Sequence, residues 1–216
     1  MIKPEITKFL NLLTKTIDRN IVIVDFANVD RWQDSLGWSV GINKLGKLNK
    51  HLSQGKKYLR RFYYGEDYGP KDKSNKMTLW SEKIKTQAQC SGFEIISKRV
   101  KYIPDNKYET GFIKKCNLDI EMAVDLIKEK DNYDTAIIFS GDGDMAYVCE
   151  YIQKEFGKII YIFCARDHVG RELIDCQAKG VIKNILFVED FEYRLNLNSR
   201  QKSKTPTLIG ILNKVK

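Results

Sequence analysis

The chain carries only two histidines, His51 and His168, and none of its five cysteines stands in a C-x-x-C pair. A zinc site built from cysteine and histidine therefore has no ligand set to draw on. Cys90, Cys116, Cys149, Cys164 and Cys176 are odd in number and widely spaced. They read as free, mostly buried thiols rather than a disulfide framework. No apolar run approaches the roughly 20 residues of a membrane span. The opening Met1-Ile-Lys-Pro-Glu5 lacks the basic-then-apolar order of a secretory signal. Together these absences lead to the expectation of a cytoplasmic protein with no membrane partner. There is no internal repeat, and no serine or cysteine stands out as an activated nucleophile. The phosphate loop G-x-x-x-x-G-K-[ST] is also absent.

What is present is an ordinary globular composition. At 216 residues, 43% hydrophobic and 30% charged, the chain is long enough to bury the core of one domain with appendages. The formal net charge is +9. Such a surface suits a polyanionic partner without proving one.

Apolar spacing predicts a sheet interleaved with helices. An amphipathic helix is expected from Pro4 to about Asp18, and a strand from Ile21 to Val24. Asn28 to Trp38 reads as a loop, and Val40 to His51 as a short helix. Further strands are expected at Tyr58–Tyr64, Phe93–Ser97, Thr135–Phe139 and Ile159–Cys164, with a short last one at Ile185–Val188. Helices are expected at Lys76–Cys90, Asp119–Lys130, Met145–Phe156 and Gly170–Lys179. Between Lys98 and Cys116 the alternation suggests a hairpin turning at Pro104-Asp-Asn106. Alternating strands and helices imply a three-layer α/β/α fold, Rossmann-like, with a mostly parallel sheet. In the order of those strands along the chain, the central arrangement is expected to be 3-2-1-4-5. That order puts the first and fourth strands side by side and makes the gap between their carboxyl ends the binding crevice.

Both of those strands end in acid. Ile21-Val-Ile-Val24 runs into Asp25, with Asn28 three residues on. Thr135-Ala-Ile-Ile-Phe139 runs into Ser140-Gly-Asp142-Gly-Asp144. Asp119 opens a helix and supplies a further carboxylate. Each has a structural alternative: Asp25 as a turn cap, Asp119 and Asp144 as helix N-caps. The Asp142/Asp144 pair is the strongest signal, because two acids held close repel unless something positive lies between them. Carboxylates and waters suit a hard divalent cation, Mg2+ or Mn2+. Ser140 and Asn28 are placed to orient the acids. Lys114 and Lys115, just before Asp119, form a basic approach; Lys56, Lys57, Arg60, Arg61, Lys98, Arg99 and Lys101 are further basic candidates, with an ordinary solvated face as the alternative. Trp32 and Trp38, in the expected loop after Asp25, are candidates for stacking on bases, and Arg171 for a phosphate contact.

Three pieces together resemble the NYN domain, a branch of the PIN-like nuclease superfamily that includes LabA-like proteins. They are Ile23-Val-Asp25-Phe-Ala-Asn28, Lys115-Cys-Asn-Leu-Asp119-Ile-Glu-Met-Ala-Val-Asp125 and Phe139-Ser-Gly-Asp142-Gly-Asp144-Met145. The segment His168-Val-Gly-Arg171 onward resembles the last helix of that family. The resemblance spans about Ile21 to Val188. It departs from the family at Asn117-Leu118, usually a small residue then valine, and at Met145, usually phenylalanine. Neither change removes a carboxylate.

The resemblance implies a PIN-like fold and a metal-dependent ribonuclease with Asp25, Asp119, Asp142 and Asp144 as the acids. An RNA-binding module with little or no catalysis is the alternative. Other phosphotransfer folds fit less well. Ala27 stands where a haloacid-dehalogenase-type phosphatase needs a second Asp. Val24 and Phe26 flank Asp25 where a receiver domain needs paired acids, and the first strand carries no Toprim-like Glu. The expected organisation is an N-terminal helix over residues 1–19, a catalytic domain over 20–190 and a basic tail over 191–216. The class of RNA and a homodimer are left open.

Overall fold

The structure, a computed structural model, describes residues 3–16, 19–53, 58–70, 75–107 and 111–199. Helix α1 (Lys3–Thr16) buries Ile6, Leu10 and Leu13. Strand β1 (Asn20–Asp25) is buried along its whole length. Helices α2 (Phe26–Arg31), α3 (Gln33–Leu36) and α4 (Ile42–Ser53) lead to β2 (Tyr58–Glu66). Helix α5 (Leu79–Cys90) then leads to β3 (Glu94–Arg99). A hairpin follows, β4 (Lys101–Pro104) against β5 (Phe112–Lys115). The chain continues through α6 (Asp119–Lys128), β6 (Thr135–Phe139), α7 (Met145–Phe156) and β7 (Ile159–Cys164). It ends through α8 (Arg171–Ala178), β8 (Asn184–Phe187) and α9 (Glu192–Leu195).

The main sheet has the order β3-β2-β1-β6-β7-β8, and every pairing in it is parallel. Its first five strands follow the order expected from the sequence, and β8 adds an outer edge. A parallel sheet must be covered on both faces, which explains the near-continuous apolar runs of β1, β6 and β7. Helices α1, α4 and α5 pack together, as do α6, α7 and α8. Phe139 and Phe163 stack at 4.6 Å between neighbouring strands, and Phe191 closes on Phe163 at 5.5 Å. The chain reverses its direction of strand addition between β1 and β6, so their carboxyl ends form the crevice.

The span read as a loop, Asn28 to Trp38, is largely helical. Phe26, Val29 and Trp32 recur every third residue and all face the core, a spacing short enough to escape a search for longer amphipathic runs. Gly37, at φ +69°, ends α3 in the left-handed region that favours glycine. Past the expected boundary at Asp190, Phe191 and Leu195 are fully buried. Gly41 N donates to Leu195 O at 2.8 Å, and Val40 bridges Asn196. The segment up to Ser199 is therefore docked against α4, while the rest of the basic tail lies outside the described residues.

Candidate active site

The site begins with a hydrogen-bond hub between the two central strands. Asp25 is the last residue of β1, and its Oδ1 accepts from Asn28 N at 3.3 Å, capping α2. Its Oδ2 accepts from Ser140 Oγ at 3.0 Å, just past β6. Ser140 Oγ in turn accepts from Asp142 N at 3.1 Å. Asn28 Oδ1 accepts from Gly141 N at 2.9 Å and from Trp32 Nε1 at 2.8 Å. Two adjacent strand ends are thus fixed to each other by side chains of both, which sets where Asp142 emerges.

The loop after β6 is shaped by close approach. A Cβ on Gly141 would lie 1.8 Å from His168 O, and one on Gly143 2.3 Å from Glu172 Oε2. Gly170 N donates to Gly141 O at 2.7 Å. Glycine at 141 is required because a backbone atom occupies the space, whereas at 143 the obstacle is the end of a flexible side chain. The start of α8 is the body against which the acidic loop is cast.

Asp119, Asp142 and Asp144 come together here. One carboxylate oxygen from each lies within 4.8 Å of the others, with Asp144 exposed and the other two half-buried. Asp119 N donates to Asn117 Oδ1 at 2.9 Å. Asn117, the departure from the family pattern, thus braces the backbone of Asp119 at the start of α6, whose N-cap Leu118 supplies no side-chain bond. Asp119 occupies the first turn. Asp144 N donates to Asp142 Oδ1 at 3.0 Å. Asp25 stands outside the group of three, nine-tenths buried at their side.

The charges are strained in the way such a cluster requires. Burial pushes the Asp25 carboxyl up to about 6, against the opposing bonds from Asn28 and Ser140, with Asp119 and Asp142 adding repulsion. Burial also raises Asp119, with Asp142 and Asp144 contributing like charge. A hard divalent cation fits this donor set, which is all carboxylate oxygen.

A cavity of about 460 Å3 opens from the acids. Asp25, Asp119 and Asp142 line it together with Val100 and the mutually packed rings of Phe26, Tyr64 and Trp80. Lys114 and Lys115 reach it from the hairpin. Asp67, which sequence reasoning passed over, ties that hairpin down: it accepts from Lys114 Nζ at 2.8 Å, from Tyr102 OH and from Gly69 N. The ion pair raises Lys114. Lys115 has no ion-pair partner among the described residues.

The remaining expected positions divide. Trp32 is a correction: it is fully buried and holds Asn28, so it has no face for a base. Trp38 is half-buried against the core and does not line the cavity. Arg171 opens α8 on the far side of the glycine loop and also stays out of the cavity lining. Among the other basic candidates, Arg61 is buried against Glu94, Asp125 and Glu129. Lys98 pairs with Glu121, and Arg60 lies over Tyr58 and Phe93. Lys56 and Lys57 lie outside the described residues. Trp80 is the aromatic that was missed. Its exposure follows from a helix start that only the tertiary structure fixes.

Three comparisons bear on the family and the fold. A segment of 64 residues is 31% identical to the low amplitude and bright protein LabA of Synechococcus elongatus, covering 30% of this chain and 34% of LabA. The chain therefore spans about a third of that relative's length. A crystal structure of a protein of unknown function from Vibrio parahaemolyticus superposes with a TM-score of 0.61 at 20% identity, over 84% of this chain and 97% of the other, and so shares the fold. The NYN domain model matches residues 19–183, which include every acid of the site. The chain belongs to the NYN domain family, a group within the PIN-like nuclease superfamily.

Proposed function

We propose that this protein is a divalent-cation-dependent endoribonuclease. The observation that carries the reading is the convergence of Asp119, Asp142 and Asp144 within 4.8 Å of one another, beside buried Asp25, at the crevice of the sheet. The three would hold Mg2+ or Mn2+, and Asp25 would complete the site through the Ser140 hub. When bound, such a cation supplies Lewis acidity toward a phosphodiester oxygen and lowers the pKa of a coordinated water.

The chain's own groups do the rest. Ser140 and Asn28 fix Asp25 and the Asp142 loop, so the acids need not reorganise as charge develops. Asp144, the most exposed acid, would complete the shell and orient the attacking water. Lys115 meets the phosphate backbone at the hairpin edge. Lys114, held by Asp67, stiffens that edge. The chemistry needs no covalent nucleophile, in keeping with cysteines whose thiols are pushed up by burial at Cys116, Cys149 and Cys164.

The test is cleavage of a labelled RNA pool by wild type with Mn2+, by wild type with EDTA, and by Asp142→Asn protein purified identically. The reading expects internal cleavage in the first only. Equal cleavage by wild type and Asp142→Asn protein overturns it. RNA retention without cleavage at any divalent cation favours the binding-module alternative.

A further inference from the structure

The cavity that the acids line also carries an aromatic cluster that hydrolysis alone does not use. Trp80 is 51% exposed there, although it lies against Phe26 and Tyr64 with its ring centroid 6.5 Å from each of theirs. Phe26 directly follows Asp25 in the chain, so the aromatic cluster and the carboxylates share one element boundary.

The position of Trp80 is built. Thr78 caps α5, its Oγ1 accepting from Ser81 N at 3.3 Å, and Thr78 N donates to Asp67 O at 2.8 Å. Ser81 Oγ is shared with Tyr64 OH at 2.8 Å and accepts from Asp67 N at 3.0 Å. The start of α5 is thus stitched to the carboxyl end of β2. An indole backed by two rings, with half its surface free, keeps its orientation at little entropic cost when a flat ligand arrives.

We propose that Trp80 is the stacking surface for an unpaired nucleobase next to the scissile phosphate. This rests on the nuclease reading and narrows it. The site combines what such a ligand presents. The aromatic cluster meets the π-face of a base, Lys115 and Arg31, which also line the cavity, meet phosphates, and the acids take the bond to be broken. A duplex hides its base faces within the helix stack and has nothing to offer Trp80.

The test measures the affinity of a fluorescein-labelled single-stranded RNA and of the same RNA annealed to its complement. It uses fluorescence anisotropy and proteins carrying Asp142→Asn so that no substrate is consumed. Adding Trp80→Ala is expected to weaken single-strand binding about tenfold to a hundredfold, leave the duplex nearly unchanged and leave the unfolding transition in place. Trp80→Phe is expected to recover most of the loss. Unchanged single-strand affinity in Trp80→Ala protein overturns the proposal. So do equal losses on strand and duplex, failure of the phenylalanine variant, and absence of single-strand binding by the parent. Cleavage by protein with intact Asp142 separates the two readings. Trp80-dependent binding without any cleavage removes the nuclease and keeps the subsite. Cleavage and binding insensitive to Trp80 keep the nuclease and remove the subsite.

Discussion

Replacing Asp25 by asparagine should make the metal-free protein more stable at neutral pH and less able to bind metal. The Asp25 carboxyl sits at about 6 in the folded chain, chiefly through burial, against its ordinary 3.8. A folded pKa above the unfolded one means that the folded state holds its proton more tightly. That contribution is complete below about pH 4 and is lost as pH rises through about 6. The gap of about two units corresponds to about 3 kcal/mol of stability missing from the wild type above pH 7. Asparagine has no charge to bury. It keeps an oxygen for Asn28 N, and its amide can meet the Ser140 hydroxyl if that group turns to accept. In EDTA, the unfolding temperature of Asp25→Asn protein should match wild type near pH 4 and exceed it by roughly 6–12 °C near pH 8, at about 2–4 °C per kcal/mol. Mn2+ should reverse the order, because it neutralises the wild-type carboxylate and has less to gain from the amide. Circular dichroism melts across this pH range, with EDTA and with Mn2+, measure both effects. Parallel pH profiles in EDTA, or an asparagine variant less stable than wild type at pH 8, refute the reasoning.

Other substitutions probe the supports of the site. Ser140→Ala removes the donor to Asp25 and the acceptor of Asp142 N; calorimetry with Mn2+ should show an affinity lowered about tenfold to a hundredfold, as for other groups that orient ligands. Gly141→Ala places a methyl group on His168 O, and denaturant unfolding should report a loss of about 3 kcal/mol or more. Trp32→Phe removes the indole donor to Asn28; the expected cost is about 1 kcal/mol in unfolding free energy, together with weaker Mn2+ binding. Asp67→Asn discharges the partner of Lys114 while leaving the pocket acids intact. Amide exchange in β4 and β5 should accelerate by more than in the main sheet, because a two-stranded hairpin has little stability of its own.

The sheet was legible because its physics is local and repeated. Apolar runs mark β1, β6 and β7, those of β1 and β6 stop at acid, and amphipathic helices separate them, so parallel order and crevice position follow from a few topological rules. The acids were legible for the same reason: Asp25 and Asp142 sit where apolar strands stop. The aromatics were not. Trp32 and Trp80 both stand near polar residues in the sequence, and only packing distinguishes them. Trp32 falls in register with Phe26 and Val29 and turns inward, whereas Trp80 is turned outward by the Thr78 cap and the Ser81 bonds to β2. The division of labour between Lys114 and Lys115 was equally hidden. Neighbours on a strand point to opposite faces, but the partner on one face, Asp67, comes from just past β2, 47 positions away.

The central claim is that Asp119, Asp142 and Asp144 hold one divalent cation as a unit. A Mn2+ titration followed by electron paramagnetic resonance tests it most directly, on wild type and on the three single asparagine variants. The account predicts saturable binding by wild type and a loss of affinity of at least about tenfold in each variant, since every acid supplies a ligand oxygen. Wild-type affinity retained in all three variants would contradict it and place any bound Mn2+ elsewhere on the protein.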